Sequence, residues 1–140
     1  DSAENKYKFL IRDRYIDISE IPKNKSYDKI IAIAVIEHIK DLSFLLNEVS
    51  KRLNSDGRFI IEIPAEGEFL WWLGWRLTTG IGFWLKYKLN YGIIMKYEHV
   101  NNVEKIFKEI RKYFFIEKVK SFPFNFKNGR LYIHIQCRNL

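Results

Sequence analysis

A chain of 140 residues, 47% hydrophobic and 29% charged, has room for one domain with its own core and is too apolar to stay disordered. Its single cysteine, Cys137, excludes an internal disulfide framework and a cysteine-built zinc site. The net charge of +7 would suit an anionic partner, but the Lys and Arg residues are scattered, and that disfavours nucleic acid.

The opening DSAENKYK is polar and lacks the apolar stretch of a secretory signal. Together with the lone cysteine it gives a cytoplasmic expectation. Residues 6–18 alternate weakly and end in RYIDISEIP, which predicts a short strand near Tyr15 to Ile18. Pro22 and KNKS then make a loop.

Lys29 to Ile36 is a nearly continuous Ile- and Val-rich run, as expected of a strand buried on both faces of a parallel sheet. Leu42, Leu45, Leu46, Val49 and Leu53 then fall on one helical face. Asp41 is placed to cap that helix, and Asn54-Ser55-Asp56-Gly57 to end it. RFIIEIP forms the next strand, and Pro64, without an amide hydrogen, stops it. The stretch from Tyr27 to Pro64 therefore reads as a βαβ unit.

Residues 65–97 hold all four tryptophans, and between Phe69 and Leu85 the only charge is Arg76. That length falls short of the ~20 residues needed to span a bilayer, and Gly74, Gly80 and Gly82 weigh against a span. A helical insertion is expected, either packed on the core or acting as a lid over a site. Contact with a membrane surface is a further reading, with Lys86, Lys88 and Lys96 beside the aromatic residues.

Residues 101–114 predict a helix capped by Asn101 or Asn102. A strand follows from Phe115 to Phe122. From Leu131 to Arg138 strict alternation marks a half-exposed, antiparallel last strand.

Ligands of open α/β sheets sit outside the carboxyl ends of the strands. Glu37 and His38 lie there, so His38 is a candidate general base and Glu37 a carboxylate that orients it or binds a cation. Either residue could equally cap the following helix. A second pair, Glu98-His99, leaves the aromatic insertion and makes His99 a candidate acceptor-side base. Asp17 could accept a hydrogen bond from an exocyclic amine, or cap its own loop. Asp28 begins its strand at the wrong end for a ligand and reads as structural. His134 reads as surface. The three histidines are dispersed, with no HExxH spacing, so no metal is expected.

YDKIIAIAVIEHI, FLLNEVSKRLNSDGRFIIEIP and the upstream YIDISEIP resemble class I S-adenosylmethionine-dependent methyltransferases. The resemblance covers residues 1–64 by pattern and the last two strands by topology. It implies a Rossmann-like α/β sheet with an antiparallel last strand, and S-adenosylmethionine as cofactor. It places Asp17 at the adenine amine with Ile18 beside the ring, Ile33 and Ala34 along the methionine part, and Asp1 at the ribose hydroxyls.

The family's first strand, glycine-rich turn and second strand would precede Asp1, so the chain is expected to be the C-terminal portion of a single methyltransferase domain. Its expected acceptor is a small molecule, a glycan or a lipid-like compound, held by the insertion at 65–97. The exposed sheet edge left by the missing strands offers an alternative: a non-catalytic interaction module, or an oligomer, built on the truncated fold.

Overall fold

The computed structural model describes residues 13, 15–90, 92, 93, 97 and 99–140. A 3-10 turn at Ile18–Glu20 leads into strand β1 (Tyr27–Ile33) and a second 3-10 turn at Ile36–His38. Helix α1 (Leu42–Arg52) and strand β2 (Leu53–Pro64) follow. The aromatic segment forms helix α2 (Phe69–Trp75), a π-helical stretch (Arg76–Gly80) and helix α3 (Ile81–Tyr87). Helix α4 (Val103–Ile110) and strands β3 (Phe114–Pro123) and β4 (Arg130–Asn139) complete the chain.

The four strands form one sheet in the order β1-β2-β4-β3. β1 and β2 run parallel, while β4 is antiparallel to both β2 and β3. This is the expected α/β architecture with an antiparallel last strand. Parallel neighbours need a crossover, and α1 supplies it. The side-chain caps sit where the sequence puts them. Asp41 Oδ1 accepts from the Phe44 amide at 2.9 Å, and Asn102 Oδ1 accepts from the Lys105 amide at 2.9 Å.

One face of the sheet builds the core. Phe59, Ile61 and Ile63 of β2 and Ile133, Ile135 and Cys137 of β4 pack with Leu42, Leu46 and Val49 of α1 and Ile106 and Ile110 of α4. Each large apolar side chain so buried contributes about 1.5–3 kcal/mol. Burial also pushes the Cys137 thiol up to about 12, so it stays protonated and inert.

Three expectations change. Tyr15 to Ile18 is not a strand: Asp17 caps the turn at Ile18–Glu20 instead, accepting from the Ser19 amide at 2.8 Å. A strand needs a hydrogen-bonded neighbour, whereas an Asp two residues before a Ser closes a turn by itself. β1 ends at Ile33 rather than Ile36, and only one of its faces is covered among the described residues. Ile31 and Ile33 are 55% and 58% exposed.

The third change is at the end of α1. The helix stops at Arg52, and residues 54–57 step out of the β1–β2 ladder, whose register jumps from Tyr27↔Leu53 to Lys29↔Arg58. Gly57 permits that step. A Cβ there would lie 2.9 Å from the Asn54 carbonyl oxygen and 2.9 Å from buried Leu53. Gly57→Ala is therefore expected to cost about 1–3 kcal/mol by overpacking, read as a lower urea midpoint at unchanged slope. Gly129→Ala serves as the contrast. The atoms nearest its Cβ belong to the exposed Phe126 ring, which can swing away.

Candidate active site

The carboxyl ends of β1 and β2 carry the groups that can do chemistry. After Ile33 the chain turns sharply: Ala34 takes φ 50°, and its amide donates to the Glu62 carbonyl at 2.8 Å. A left-handed residue breaks the strand's extended run. It swings Ile36–His38 into a 3-10 turn above the sheet. Glu37 is buried, with one oxygen 3.9 Å from His38 Nε2 and the other, Oε2, without a hydrogen-bond partner among the described residues.

A second loop is fastened onto this turn. Asn101, fully buried, donates from Nδ2 to the Ile36 carbonyl at 2.9 Å and the Ile39 carbonyl at 2.6 Å. The amides of Val100 and Asn101 donate to the Glu37 carbonyl at 3.0 and 3.1 Å. These bonds bring His99 against His38, ring centroids 4.5 Å apart and edge to face. Asn101→Ala would take the side-chain donor from the Ile39 carbonyl and leave the Ile36 carbonyl with only the longer bond from the Ile39 amide at 3.4 Å, and it is expected to cost about 2–3 kcal/mol. Asn101→Asp, which cannot donate, should cost at least as much in the same urea titration.

Glu66, just past the end of β2, completes the cluster. Its Oε2 lies 2.6 Å from His99 Nδ1, and both side chains are largely buried. Burial holds the Glu66 carboxyl above its ordinary range, against the hydrogen bond from His99, and the nearby charge of Glu37 adds to the rise. When Nδ1 donates to Glu66, His99 Nε2 carries the lone pair. Such a carboxylate–imidazole pair can take a proton from a nucleophile.

Beyond His99 the aromatic insertion walls a cavity of about 550 Å³, bounded by Glu66, Phe69, Trp71, Trp72, Trp75 and His99 among others. A second cavity of about 510 Å³ shares Glu66 and reaches Asn102, Arg111, Lys127 and Arg130. Buried Glu68 holds the insertion in place, accepting from the Asn128 amide at 2.8 Å and from Arg130 Nε at 3.0 Å. The tryptophans of α2 thus line this cavity, and no helix of the described residues is long and apolar enough to cross a membrane.

The remaining sequence-derived residues divide. Asp1 and Glu98 lie outside the described residues. Asp17 is exposed, and its Oδ1 takes both the Ser19 amide and the Ser19 hydroxyl, which hold its carboxyl below the usual range. Ile18 packs partly against the core. Ile33 and Ala34 stand at the exposed carboxyl end of β1. Asp28 bonds the Asn54 side chain at 2.7 Å, a structural contact. His134 does more than sit on the surface: it meets Glu62 at 3.1 Å on the open sheet face.

The sequence profile of a methyltransferase domain family matches residues 2–89. This chain belongs to that family. The match spans the β1–α1–β2 unit and most of the aromatic insertion.

Solved structures agree on the fold. NodS, an N-methyltransferase from Bradyrhizobium japonicum WM9 in complex with S-adenosyl-l-homocysteine, is 12% identical with a TM-score of 0.61. The alignment covers 98% of this chain and 59% of NodS. A S-adenosylmethionine-dependent methyltransferase from Clostridium acetobutylicum is 15% identical with a TM-score of 0.62, covering 98% and 69% respectively. Another from Mesorhizobium loti is 16% identical with a TM-score of 0.59, covering 99% and 76%. The chain spans about three fifths of NodS. No curated protein matches it.

Proposed function

We propose that the protein, as the C-terminal part of one methyltransferase domain, serves the transfer of a methyl group from S-adenosylmethionine to a small-molecule, glycan or lipid-like acceptor held beneath the insertion at 65–97. The observation that carries this reading is the convergence of His38, His99 and Glu66 at the carboxyl ends of two parallel strands, beside an aromatic cavity, in a chain of the methyltransferase family.

The residues present fit the methyl donor. Exposed Ile33 and Val35 flank the left-handed Ala34, giving an apolar ledge for the methionine portion. Neither Ser19 bond uses Asp17 Oδ2, which is left to accept from an exocyclic amine of adenine, with Ile18 alongside. Glu37 Oε2, buried and without a hydrogen-bond partner among the described residues, suits a polar group of the bound donor. When bound, the donor supplies an electrophilic methyl on a sulfonium. This chain's part is then to position the acceptor and to take its proton at His99, oriented by Glu66.

Isothermal titration of the full-length protein with S-adenosylmethionine tests the reading. Binding in the micromolar range is expected, and absence of binding would sink it.

A second reading, membrane-surface association, is supported by the exposed side of the insertion. Trp72 carries the Arg76 guanidinium 4.5 Å from its ring centre, and Trp84 carries Lys88 Nζ at 4.5 Å. Exposed Phe69, Leu77, Ile81 and Leu85 lie beside them, and no acidic residue occurs between Glu68 and Glu98. Aromatic residues flanked by cations suit the interface of an anionic bilayer. Flotation with phosphatidylserine vesicles decides it: co-flotation that high salt reverses supports the reading, and none at low salt removes it.

A further inference from the structure

We propose that the acceptor carries an amine on an apolar body, and that the amine docks between Glu66, His99 and the tryptophan faces of the cavity. This rests on the methyl-transfer reading and narrows its acceptor.

The charge of the cavity is the first argument. The chain carries a net +7, yet no Lys or Arg lines this cavity among the described residues. Its carboxylates are Glu66 and Glu68. Glu68 is already neutralised by Arg130. Glu66 has no Lys or Arg partner among the described residues, only the imidazoles of His99 and, more weakly, His38, and buried Glu37 adds negative potential behind it. A local reversal of sign inside a basic protein favours a cationic ligand and repels a carboxylate.

The walls are the second argument. Trp71, Trp72 and Trp75 line the cavity, and indole faces attract ammonium groups more strongly than other rings do. Arg76 already covers one face of Trp72 at 4.5 Å and lies 5.7 Å from Trp75, so the indole offered beside the base is Trp71, whose ring centroid is 6.2 Å from that of His99. Phe69, stacked on Trp72 with centroids 6.0 Å apart, extends the apolar wall for the rest of the molecule.

The chemistry is the third. An amine arrives as an ammonium, which is bound but not nucleophilic. Transfer of its proton to His99 Nε2, with Nδ1 held by Glu66, frees the nitrogen lone pair and leaves an imidazolium beside a carboxylate. One pair of side chains thereby recognises the cation and then prepares it for attack.

The test uses tryptophan fluorescence of the full-length protein without a methyl donor. Phenethylamine is compared with phenethyl alcohol, phenylacetate and methyl glucoside. Phenethylamine is expected to bind at least about tenfold more tightly than each of the others. Glu66→Gln should erase most of that preference while leaving phenethyl alcohol binding within about twofold. Equal binding of amine and alcohol, tighter phenylacetate, or tightest methyl glucoside would each overturn the proposal, and the wild-type comparison decides even if the variant misfolds. Selective amine binding by a protein that fails to bind S-adenosylmethionine would keep the amine site and remove methyl transfer.

Discussion

Replacing Glu68 with Ala is expected to lower the unfolding free energy by about 3–5 kcal/mol, the usual cost of removing one partner of a buried ion pair. The carboxylate is 4% exposed and serves three donors: the Asn128 amide, Arg130 Nε and Arg130 Nη2. These lie in β4 and in the turn before it, while Glu68 itself stands immediately before α2. One side chain therefore ties the start of the aromatic insertion to the sheet. Its loss strands a guanidinium whose side chain is only 17% exposed and takes the acceptor from the Asn128 amide.

Glu68→Gln keeps the shape and an acceptor oxygen, so it should cost less, about 1.5–3 kcal/mol. Arg130→Met in the Glu68→Ala background should restore part of the loss, because the uncompensated cation is gone. Urea denaturation of the single and double variants gives these values. A Glu68→Ala cost below about 1 kcal/mol would show that the pair does not anchor the insertion.

How much of this was legible in the sequence depends on whether local chemistry or topology sets each feature. The caps Asp41 and Asn102, the leucine face of α1 and the alternation of β4 are local, and they stand in the structure as read. Asp17 shows where local chemistry wins over pattern. Its carboxylate closes a turn onto Ser19, and the alternation upstream does not make Tyr15 to Ile18 a strand. Apolar continuity in β1 likewise suggested burial on both faces, but hydrophobicity records what a strand can bury and not what lies against it.

Glu66 is the residue the sequence did not reveal. In IPAEGEF it looks like any loop carboxylate. Its partner His99 is 33 residues away, beyond the whole insertion. A signal did exist. A chain that leaves the sheet at Pro64 and must start another helix on the same face returns near the point of departure. The residue after β2 and the residues before α4 are then neighbours, whatever the insertion between them does. Asn101 suits a cap by its place in the sequence, but Asn102 does that work and Asn101 bonds two loops together.

His99→Ala carries the largest expected effect on activity. Under the proposed reading, loss of a positioned base lowers methyl transfer by about 10²–10⁴-fold at neutral pH. Binding of S-adenosylmethionine should stay within about threefold, since the ledge at Ile33 and Ala34 is untouched. Loss of donor binding to the same extent as activity would instead mean that the loop has collapsed. Activity within threefold of the wild type would remove His99 from the chemistry.

Glu66→Gln separates orientation from proton transfer. Gln offers no charge to an imidazolium, and its amide can donate to His99 Nδ1 and hold the wrong tautomer, so a fall of up to about 10⁴-fold is expected although the geometry is kept. The pH dependence carries a second signature. Burial raises the Glu66 carboxyl above 4.5, so folding favours its protonated form. That contribution to stability is present at pH below 4.5 and is lost as pH rises through the higher folded value. Glu66→Gln has no such titration, and its stability should fall less than the wild type's across that window. In activity the order reverses: protonating Glu66 removes the charge that steadies His99, so the wild-type acid limb should contain a step that Glu66→Gln lacks. A wild-type and variant pair with superimposable stability and rate profiles across that window would uncouple Glu66 from His99, and the base would then have to be sought at His38, whose ring stands nearly perpendicular to the same imidazole at 4.5 Å.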